Sequence, residues 1–524
     1  MDTPAARPTL EPAERRSTHL ARRSAWVLAP AAGALSALAF PPLALWPAAF
    51  VGYALLFALL LARPVGHAFA LGFGFGAGQH LVGLGWLATA FTFQSAMPPW
   101  FGHLAHAGLA LFLALYGGLG AMVARRLACT PLALALALAG SLTLAELLRG
   151  WLFTGFPWNP PGLALLPLAG VRDAAAVIGS DGLGTLLILA AAALALIALR
   201  QRRNAAILAF LAALLALPGL VRLGREPPSP GPALLLLVQP NSSQAEKHGE
   251  NGTERHLLAH VEATEAALAR LAPGERQALA AVVWPEGAIE FPPDEHPWLR
   301  QLVTRALPPG AWLLAGSIKA ERDASGEAIG IRNSLFAFDS EGRIAHRYDK
   351  AHLVPGGEYL PMRRIAEPLG LQRLVPGTLD FWPGPGPETM RLAGLPALGP
   401  AICYEIIFPG RVVDRARRPE LILTVSSDAW FGPAGPPQHF ALARLRAIEE
   451  GLPIIRVTPT GVTGIIDARG RIVEALPPNA AGTLLAPIPR PLAPTPFARL
   501  GQALPLGLGL LLLLAGVVTG RKDT

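Results

Sequence analysis

Eight long apolar segments constrain this chain more than any other feature. Seven lie in the first 222 residues and the eighth closes the chain. A helix needs about 20 mostly apolar residues to cross a hydrocarbon core of roughly 30 Å, and a mean hydropathy of +0.41 with only 15% charged residues is too apolar for an ordinary soluble enzyme. The sequence predicts a polytopic α-helical membrane domain, with spans near residues 25–40, 43–61, 67–93, 104–123, 131–148, 183–199, 205–221 and 504–518.

The basic residues of the short loops predict how these helices are oriented. Cytoplasmic loops carry an excess of Lys and Arg. Here almost all the Lys and Arg residues of the short loops lie on one side of the predicted membrane. The exceptions are Arg149, Arg172, Arg222 and Arg225. Both termini are therefore expected in the cytoplasm. The residues on that side are Arg7, Arg15, Arg16, Arg22, Arg23, Arg63, Arg125, Arg126, Arg200, Arg202, Arg203, Arg521 and Lys522.

The region from 231 to 495 differs in character from the apolar segments. The Pro-rich stretches "REPPSPGP" and "PIPRPLAPTPF" flank it. Short apolar runs alternate with helical patterns between them, which predicts one α/β domain. Seven preceding spans place that domain on the outer face. Strands are expected at 233–238, 280–284, 312–318, 334–338, 397–403, 421–426 and 453–457, and helices at 254–271, 297–306 and 438–450.

Three domains follow from these boundaries. Residues 1–230 form the N-terminal membrane domain, 231–495 the outer domain, and 496–524 a last span with a cytoplasmic tail. The first apolar segment has no clean small-residue cleavage site and is followed at once by more spans, so it is expected to stay in the protein.

The chain has only two cysteines, and the predicted topology separates them. Cys129 lies on the cytoplasmic side, whereas Cys403, in "GPAICYEIIFP", lies in the outer domain. A disulfide between them is excluded, so Cys403 is a free thiol in an oxidising compartment. It is either a buried strand residue that packs as a small hydrophobe or a nucleophile that needs partners.

Two other motifs offer such partners. "VVWPEGAIE" places Glu286 just after an apolar run, and "HRYDKAHLVPGGEYLP" places Lys350 after another extended segment, with Glu358 in the loop that follows. The carboxyl ends of strands are where α/β sites collect. Each residue alone is more often simply solvated, so their significance depends on their combination with Cys403.

A Glu, a Lys and a Cys at successive strand ends, in this order, resemble the triad of the nitrilase (carbon–nitrogen hydrolase) superfamily. The resemblance extends to "SSDAWFG" and to "PPQHFALARLRAIEEGLPIIRVT". Together with the membrane helices and with "LRGWLFTGFPW", it narrows to the apolipoprotein N-acyltransferase family. This resemblance implies an αββα sandwich for the outer domain. It also implies a bacterial inner-membrane location with that domain in the periplasm.

The resemblance implies an acyl transfer in two steps. The donor is a glycerophospholipid, typically phosphatidylethanolamine, and the acceptor is the α-amino group of a diacylglyceryl-cysteine at a lipoprotein's N-terminus. A thiol with a pKa near 8.5 benefits from an adjacent base, so Glu286 is expected to activate Cys403 and Lys350 to stabilise the oxyanion. Membrane lipid surrounds the enzyme, and a monomer is expected.

Three further residues match positions that the resembled family uses near its triad. Glu358 and Glu405 match acidic positions that the family uses near its triad, and Tyr404 matches an aromatic one. Surface charge and core packing are the alternative interpretations. The aromatic residues Trp151, Phe153, Phe156 and Trp158 fall where an outer-leaflet interface is expected, and we favour an ordinary aromatic belt over a substrate portal.

The chain departs from the family pattern in three places. His248 stands where a tryptophan is common, Gly356 replaces the usual aromatic in "VPFGE", and Thr458 to Gly461 replace "TNNG" with Pro459 and Thr460 in the middle. These departures put substrate gating in doubt more than the reaction type, since a mobile aromatic lid can be replaced.

Other functional classes are less favoured. The scattered basic residues form no nucleic-acid-binding patch, and no phosphate-binding glycine loop or Cys/His zinc pattern is visible, so no metal or cofactor is expected. A membrane-tethered amidase or nitrilase, in which water replaces the amine, is the main alternative. A non-enzymatic scaffold or transporter and a Cys/His hydrolase with His352 or His439 as base are weaker ones.

Overall fold

The computed structural model describes residues 12–93, 97–224, 229–242, 251–375 and 377–520, without the side chains of residues 12–23 and 369. His248, one of the three departures, lies outside the described residues. The helices before the outer domain are α1 (Pro12–Ala37), α2 (Trp46–Ala62), α3 (Ala68–Gly83), α4 (Leu87–Ala90), α5 (Phe101–Leu127), α6 (Pro131–Arg149), α7 (Ala175–Ala198) and α8 (Arg202–Leu223).

The predicted apolar segments form helices, and together they confirm a helical membrane domain. Five stretches among the described residues are long and apolar enough to cross a membrane: Phe101–Leu127, Pro131–Arg149, Arg172–Ala198, Arg202–Leu223 and Ala503–Gly520. Two further apolar helices, Ser24–Ala37 and Trp46–Ala62, are shorter.

Two predicted segments differ from the helices in their bounds. The segment expected at 67–93 is not one helix, because α3 ends at Gly83 and the short α4 follows. The segment expected at 183–199 belongs to a longer helix that starts at Ala175, about two turns earlier, and Gly179 breaks this helix with φ +69°. Hydropathy does not register such breaks, since it averages over residues that are apolar on both sides of them.

The outer domain contains eleven strands among the described residues. They are β1 (Pro230–Gln239), β2 (Leu279–Val283), β3 (Trp312–Arg322), β4 (Ala328–Phe338), β5 (Ile344–Asp349), β6 (Leu398–Ile402), β7 (Leu421–Val425), β8 (Ile454–Val457), β9 (Thr463–Ile466), β10 (Ile472–Leu476) and β11 (Gly482–Pro489). The remaining helices are α9 (Gly252–Arg270), α10 (Pro273–Ala278), α11 (Pro297–Thr304), α12 (Arg363–Ala366), α13 (Gly435–Glu450), α14 (Pro496–Leu500) and α15 (Ala503–Gly520).

The strands form two sheets, which confirms the predicted sandwich. One sheet has the order β11-β1-β2-β3-β4-β5 and the other β10-β9-β8-β7-β6. Strands β1, β2 and β3 are parallel, as are β6, β7 and β8. Buried parallel strands read as continuous apolar runs, which is why the sequence of β7, "LILTV", predicts a strand. Strands β9, β10 and β11 were not predicted, and β5 was expected only as the extended segment before Lys350.

Three hydrophobic clusters define the layers. One lies between the two sheets and includes Leu237, Val283, Ile402 and Val425. A second packs α9 and α11 on the outer face of the six-stranded sheet. The third joins the membrane helices, α13 and the outer face of the five-stranded sheet into one continuous core. Helix α13 is therefore both a layer of the sandwich and the surface by which the outer domain contacts the membrane domain.

Candidate active site

Glu286 lies just beyond the carboxyl end of β2, as the sequence predicted. It follows Pro285, whose carbonyl approaches Gly316 in β3 so closely that a Cβ there would lie 2.5 Å from it. The residue is 9% exposed, and its carboxylate accepts one hydrogen bond from Lys350 and one from each sheet. Asn333 Nδ2 donates to Oε1 at 2.7 Å, and the backbone N–H of Ser427 donates to Oε2 at 2.6 Å. Donors from both sheets thus fix the position of this carboxylate.

Lys350 follows β5 directly and is almost completely buried. Its Nζ lies 3.0 Å from Glu358 Oε1 and 3.4 Å from Glu286 Oε1. Burial alone would lower the pKa of Lys350, but the charges of Glu358 and Glu286 outweigh it and raise that pKa. Asn333 Nδ2 also donates to Glu358, at 3.1 Å. Lys350 is therefore a buried cation held between two carboxylates.

Cys403 follows β6 and begins a short 3-10 turn, Cys403–Ile407. Its φ of +51° is a left-handed conformation that non-glycine residues rarely adopt. Burial is the main cause that raises the pKa of the thiol, the Glu286 charge adds to it, and the Lys350 charge opposes it. The three predicted triad residues therefore share one buried site, with the sulfur held as a thiol.

Glu405 joins the segment of the cysteine to that of the lysine. Its Oε2 accepts from the N–H of Ile402 at 2.7 Å, immediately before the cysteine. Its Oε1 accepts from the Tyr348 hydroxyl at 2.9 Å and from the N–H of Ala351 at 2.8 Å and of His352 at 3.1 Å, on both sides of the lysine. Burial raises the pKa of Glu405, and these backbone donors oppose the shift. The surface-charge interpretation of Glu405 is therefore wrong.

Tyr404 joins the same turn to the membrane domain. Its hydroxyl donates to Gly155 O at 2.9 Å, in the segment between α6 and α7. Arg149 holds that segment, since its Nη1 donates to Phe156 O at 2.6 Å and to Trp158 O at 2.9 Å. Arg149 also forms an ion pair with Glu146. The membrane domain thus contacts the residue next to Cys403.

The aromatic belt prediction holds for only part of its residues. Trp151 and Phe153 are 65% and 77% exposed, as belt residues would be. Trp158, in contrast, is 1% exposed and its Nε1 donates to Gln438 Oε1 at 2.8 Å. Trp86 Nε1 and Asn159 Nδ2 donate to the same oxygen at 3.1 and 3.0 Å. Trp158 belongs to the contact between the domains, because α13 presents a polar group to it.

The structure gives neither candidate histidine the position of a base. His439 Nε2 lies 3.1 Å from the carbonyl oxygen of Cys403, an acceptor, and the residue is fully buried. His352 stacks on Phe408, with ring centroids 3.9 Å apart, and burial lowers its pKa to about 4. Among the described residues, no cluster of three His, Cys, Asp or Glu suits a metal ion.

Several residues of the site escaped the sequence analysis. Asn333 is one polar residue inside a strand, and nothing in its neighbourhood signals a bond to two carboxylates. Ser426 and Asp428 lie in the recognised "SSDAWFG" motif, but the motif alone assigns them no contact.

Two of the three departures from the family pattern lie among the described residues. Gly356 has φ +72°, and a Cβ added there would meet open space. Pro459 O accepts from the N–H of Asn241 at 2.9 Å.

The comparisons with known proteins cover nearly the whole chain. The family described as "Apolipoprotein N-acyltransferase N-terminal domain" matches residues 32–193, and "Carbon-nitrogen hydrolase" matches residues 241–494. A protein of Allorhizobium ampelinum named "Apolipoprotein N-acyltransferase" is 36% identical over 487 residues, covering 90% of this chain and 91% of that one. A protein of Caulobacter vibrioides with the same name is 34% identical and covers 94% of each chain.

A solved amidase from Nesterenkonia sp. AN1 is also similar, at 17% identity and a TM-score of 0.35, and covers 51% of this chain and 94% of the amidase. The family matches and the curated relatives agree with each other along the chain. The chain belongs to the apolipoprotein N-acyltransferase family.

Proposed function

We propose that this protein moves an acyl chain from a glycerophospholipid, typically phosphatidylethanolamine, to the α-amino group of a lipoprotein's N-terminal diacylglyceryl-cysteine. The observation that carries the proposal is the Lys350 ammonium between Glu286 and Glu358, beside the buried thiol of Cys403. Acyl transfer needs a general base, a cation that stabilises the oxyanion and a nucleophile, all in one site with little water.

In the first step, Cys403 Sγ attacks the ester carbonyl carbon of the phospholipid. Glu286 accepts the thiol proton as the S–C bond forms, since the raised pKa of the thiol leaves little free thiolate. The Lys350 ammonium and the N–H of Tyr404 stabilise the tetrahedral oxyanion. The ester C–O bond then breaks, the glycerol oxygen takes the proton from Glu286, and a lysophospholipid leaves a thioester on Cys403.

In the second step, the α-amino nitrogen of the lipoprotein attacks the thioester carbon. Glu286 accepts a proton from the amine, the C–S bond breaks, and the sulfur recovers its proton as the amide forms. Glu358 and Glu405 take no part in proton transfer. Glu358 accepts a hydrogen bond from Lys350 and positions it, and Glu405 connects the segment after Lys350 to the turn of Cys403 through backbone hydrogen bonds. Tyr404 links that turn to the membrane domain.

The proposed topology places this site at the outer surface of the membrane. The basic ends of the spans, marked by Arg63, Arg126 and Arg202, lie at the opposite ends of the helices from the segments that contact the outer domain. Both acyl substrates then reach the site from lipid, which avoids a cost of about 0.8 kcal/mol per CH₂ moved into water. The division at residues 230 and 495 and the monomeric state remain predictions.

The exposed Cys129 offers a test of this topology. In a Cys403→Ser background it is the remaining thiol of the chain. A membrane-impermeant maleimide applied to intact spheroplasts should label it only after permeabilisation. Labelling in intact spheroplasts would place the α5–α6 turn outside and overturn the orientation.

The thioester is the direct test of the reaction. Membranes with the protein are incubated with phosphatidylethanolamine that carries an alkyne-tagged acyl chain. We expect the protein to become labelled. The label should be labile to hydroxylamine, absent in Cys403→Ser and released by a diacylglyceryl peptide. No label, with the phospholipid unconsumed, would refute acyl transfer. Label that water releases as fast as the peptide does would favour the tethered amidase.

A further inference from the structure

A buried polar cluster that the proposed reaction does not use lies directly behind Cys403. We name Ser426, Asp428, His439 and Arg456 the Asp428 cluster; each is at most 1% exposed. Asp428 accepts from Ser426 Oγ at 2.8 Å and from Arg456 Nη2 at 2.7 and 2.6 Å. Burial would raise the pKa of Asp428, but Arg456 and His439 outweigh it and lower that pKa. The cluster is built around an anion.

The cluster touches the backbone of the nucleophile. His439 Nε2 lies 3.1 Å from the carbonyl oxygen of Cys403. Ser426 follows β7, the strand next to β6, and its Oγ donates to Asp428 at 2.8 Å. The cluster therefore holds Cys403 through the carbonyl of its backbone.

The partners of His439 determine which nitrogen carries its proton. A carbonyl oxygen only accepts, so the proton lies on Nε2. Nδ1 faces two groups, Arg456 Nη2 and Asp428 Oδ1, each at 3.1 Å. Burial, reinforced by Arg456, lowers the pKa of His439, although the hydrogen bond and charge of Asp428 oppose the shift. In the neutral imidazole Nδ1 accepts from Arg456, whose Nη2 has one N–H for it and one for the Asp428 carboxylate.

The contact to the carbonyl matters because the backbone of Cys403 is strained. A left-handed φ on a non-glycine residue is unfavourable and persists only where the surroundings impose it. Here β6 ends at Ile402 and Glu405 accepts from the N–H of that residue at 2.7 Å. The bond from His439 fixes the carbonyl on the other side of the same residue.

We propose that His439 is a positioning residue for the nucleophile: its Nε2–H bond to the carbonyl of Cys403 holds the left-handed turn that presents the thiol to Glu286. This inference rests on the proposed function. It assigns no proton transfer to His439, since Nε2 faces the carbonyl oxygen of Cys403 and Nδ1 faces Arg456 and Asp428. The helix α13 that docks on the membrane domain thereby also supports the cysteine.

Two substitutions at the same residue separate this role from general packing. In His439→Gln the amide nitrogen reaches the Nε2 position and keeps a donor for the carbonyl. In His439→Asn the amide is one bond shorter, so it reaches only the Nδ1 position. Thr424→Val is the control: Thr424 is buried beside Arg456 in the sheet, and its hydroxyl has no hydrogen-bond partner among the described residues.

The rate of thioester formation is measured against phospholipid concentration and pH. A misplacement of about 1 Å can cost about 100-fold, so His439→Asn should lower kcat by about 10- to 100-fold with an unchanged KM. His439→Gln should stay within about threefold of wild type, with the same pH profile. Equal rates for the two variants, or a shifted pH profile in the glutamine variant, would overturn the proposal.

A second measurement does not depend on the acyl donor. Amide hydrogen exchange over residues 398–408, without phospholipid, should be faster in His439→Asn than in wild type or His439→Gln. If wild type forms no thioester, the proposed function fails. The amide exchange rates still test whether His439 supports the turn at Cys403. Exchange equal in all variants would refute that support. If the asparagine variant does not accumulate, a tenfold loss of kcat in His439→Gln alone would overturn it.

Discussion

Replacing Glu358 by glutamine tests whether Lys350 needs both of its carboxylates. Glu358 Oε1 accepts from Lys350 Nζ at 3.0 Å and from Asn333 Nδ2 at 3.1 Å, and Oε2 accepts from the N–H of Val354 at 2.8 Å. All three donors are fixed by strands or by the loop itself. Glutamine has nearly the same shape, but it has one acceptor oxygen and no charge.

The magnitude follows from these contacts. If the glutamine oxygen faces Lys350, its NH₂ meets the N–H of Val354, and a buried donor is left without an acceptor. If the amide is reversed, its NH₂ meets the Lys350 ammonium. Either arrangement loses a charge-assisted hydrogen bond worth about 1.5–3 kcal/mol. A loss of about 2 kcal/mol at the oxyanion-stabilising group corresponds to about a 30-fold lower rate of thioester formation.

The assay is single-turnover formation of the thioester from tagged phosphatidylethanolamine, with the melting temperature measured in parallel. Glu367→Gln is the matched control, because Glu367 lies in the same loop region and forms an exposed pair with Arg363 at 3.1 Å. Exposed pairs contribute about 0–1 kcal/mol, so this variant should stay close to wild type. A Glu358→Gln rate equal to that of the control would refute the role of the second carboxylate.

Three further predictions concern other parts of the structure. Gln438→Leu removes the acceptor of three buried N–H groups of the membrane domain; at about 1–3 kcal/mol per unsatisfied donor its melting temperature should fall by several degrees, and an unchanged value would contradict this contact. Gly461→Ala places a Cβ 2.4 Å from Asp428 Oδ2, so the rate of thioester formation should fall by more than about tenfold, whereas Gly274→Ala, with open space around it, should leave the rate unchanged. Burial raises the pKa of Glu449 from 4.5 to about 7, so the folded protein holds a proton there that the unfolded chain releases. Stability should therefore fall as pH rises from about 4.5 to about 7, and scans of the melting temperature with pH should be flatter for Glu449→Gln.

Much of the site could be predicted because its signals are local. Glu286 and Cys403 each follow an apolar run that forms a parallel strand, β2 and β6, and parallel strands bring their carboxyl ends to one edge. Lys350 follows the extended segment β5, which is antiparallel to β4 and therefore runs in the same direction as β3. The residues that hold the triad could not be predicted in the same way. Asn333 and His439 act through contacts between segments that are far apart in the chain, and such contacts leave no local pattern.

The sequence by itself determined that the chain combines apolar helices with an α/β domain, since hydropathy and the alternation of short apolar runs are properties of neighbouring residues. It also determined the family, because several motifs occur in the family's order. Only the tertiary structure decided that Trp158 is buried against Gln438, that α3 ends at Gly83, and that Tyr404 contacts the membrane domain. Each of these depends on which groups meet after folding. A buried tryptophan and a belt tryptophan look alike in the sequence, and the polar partner that distinguishes them lies 280 residues away.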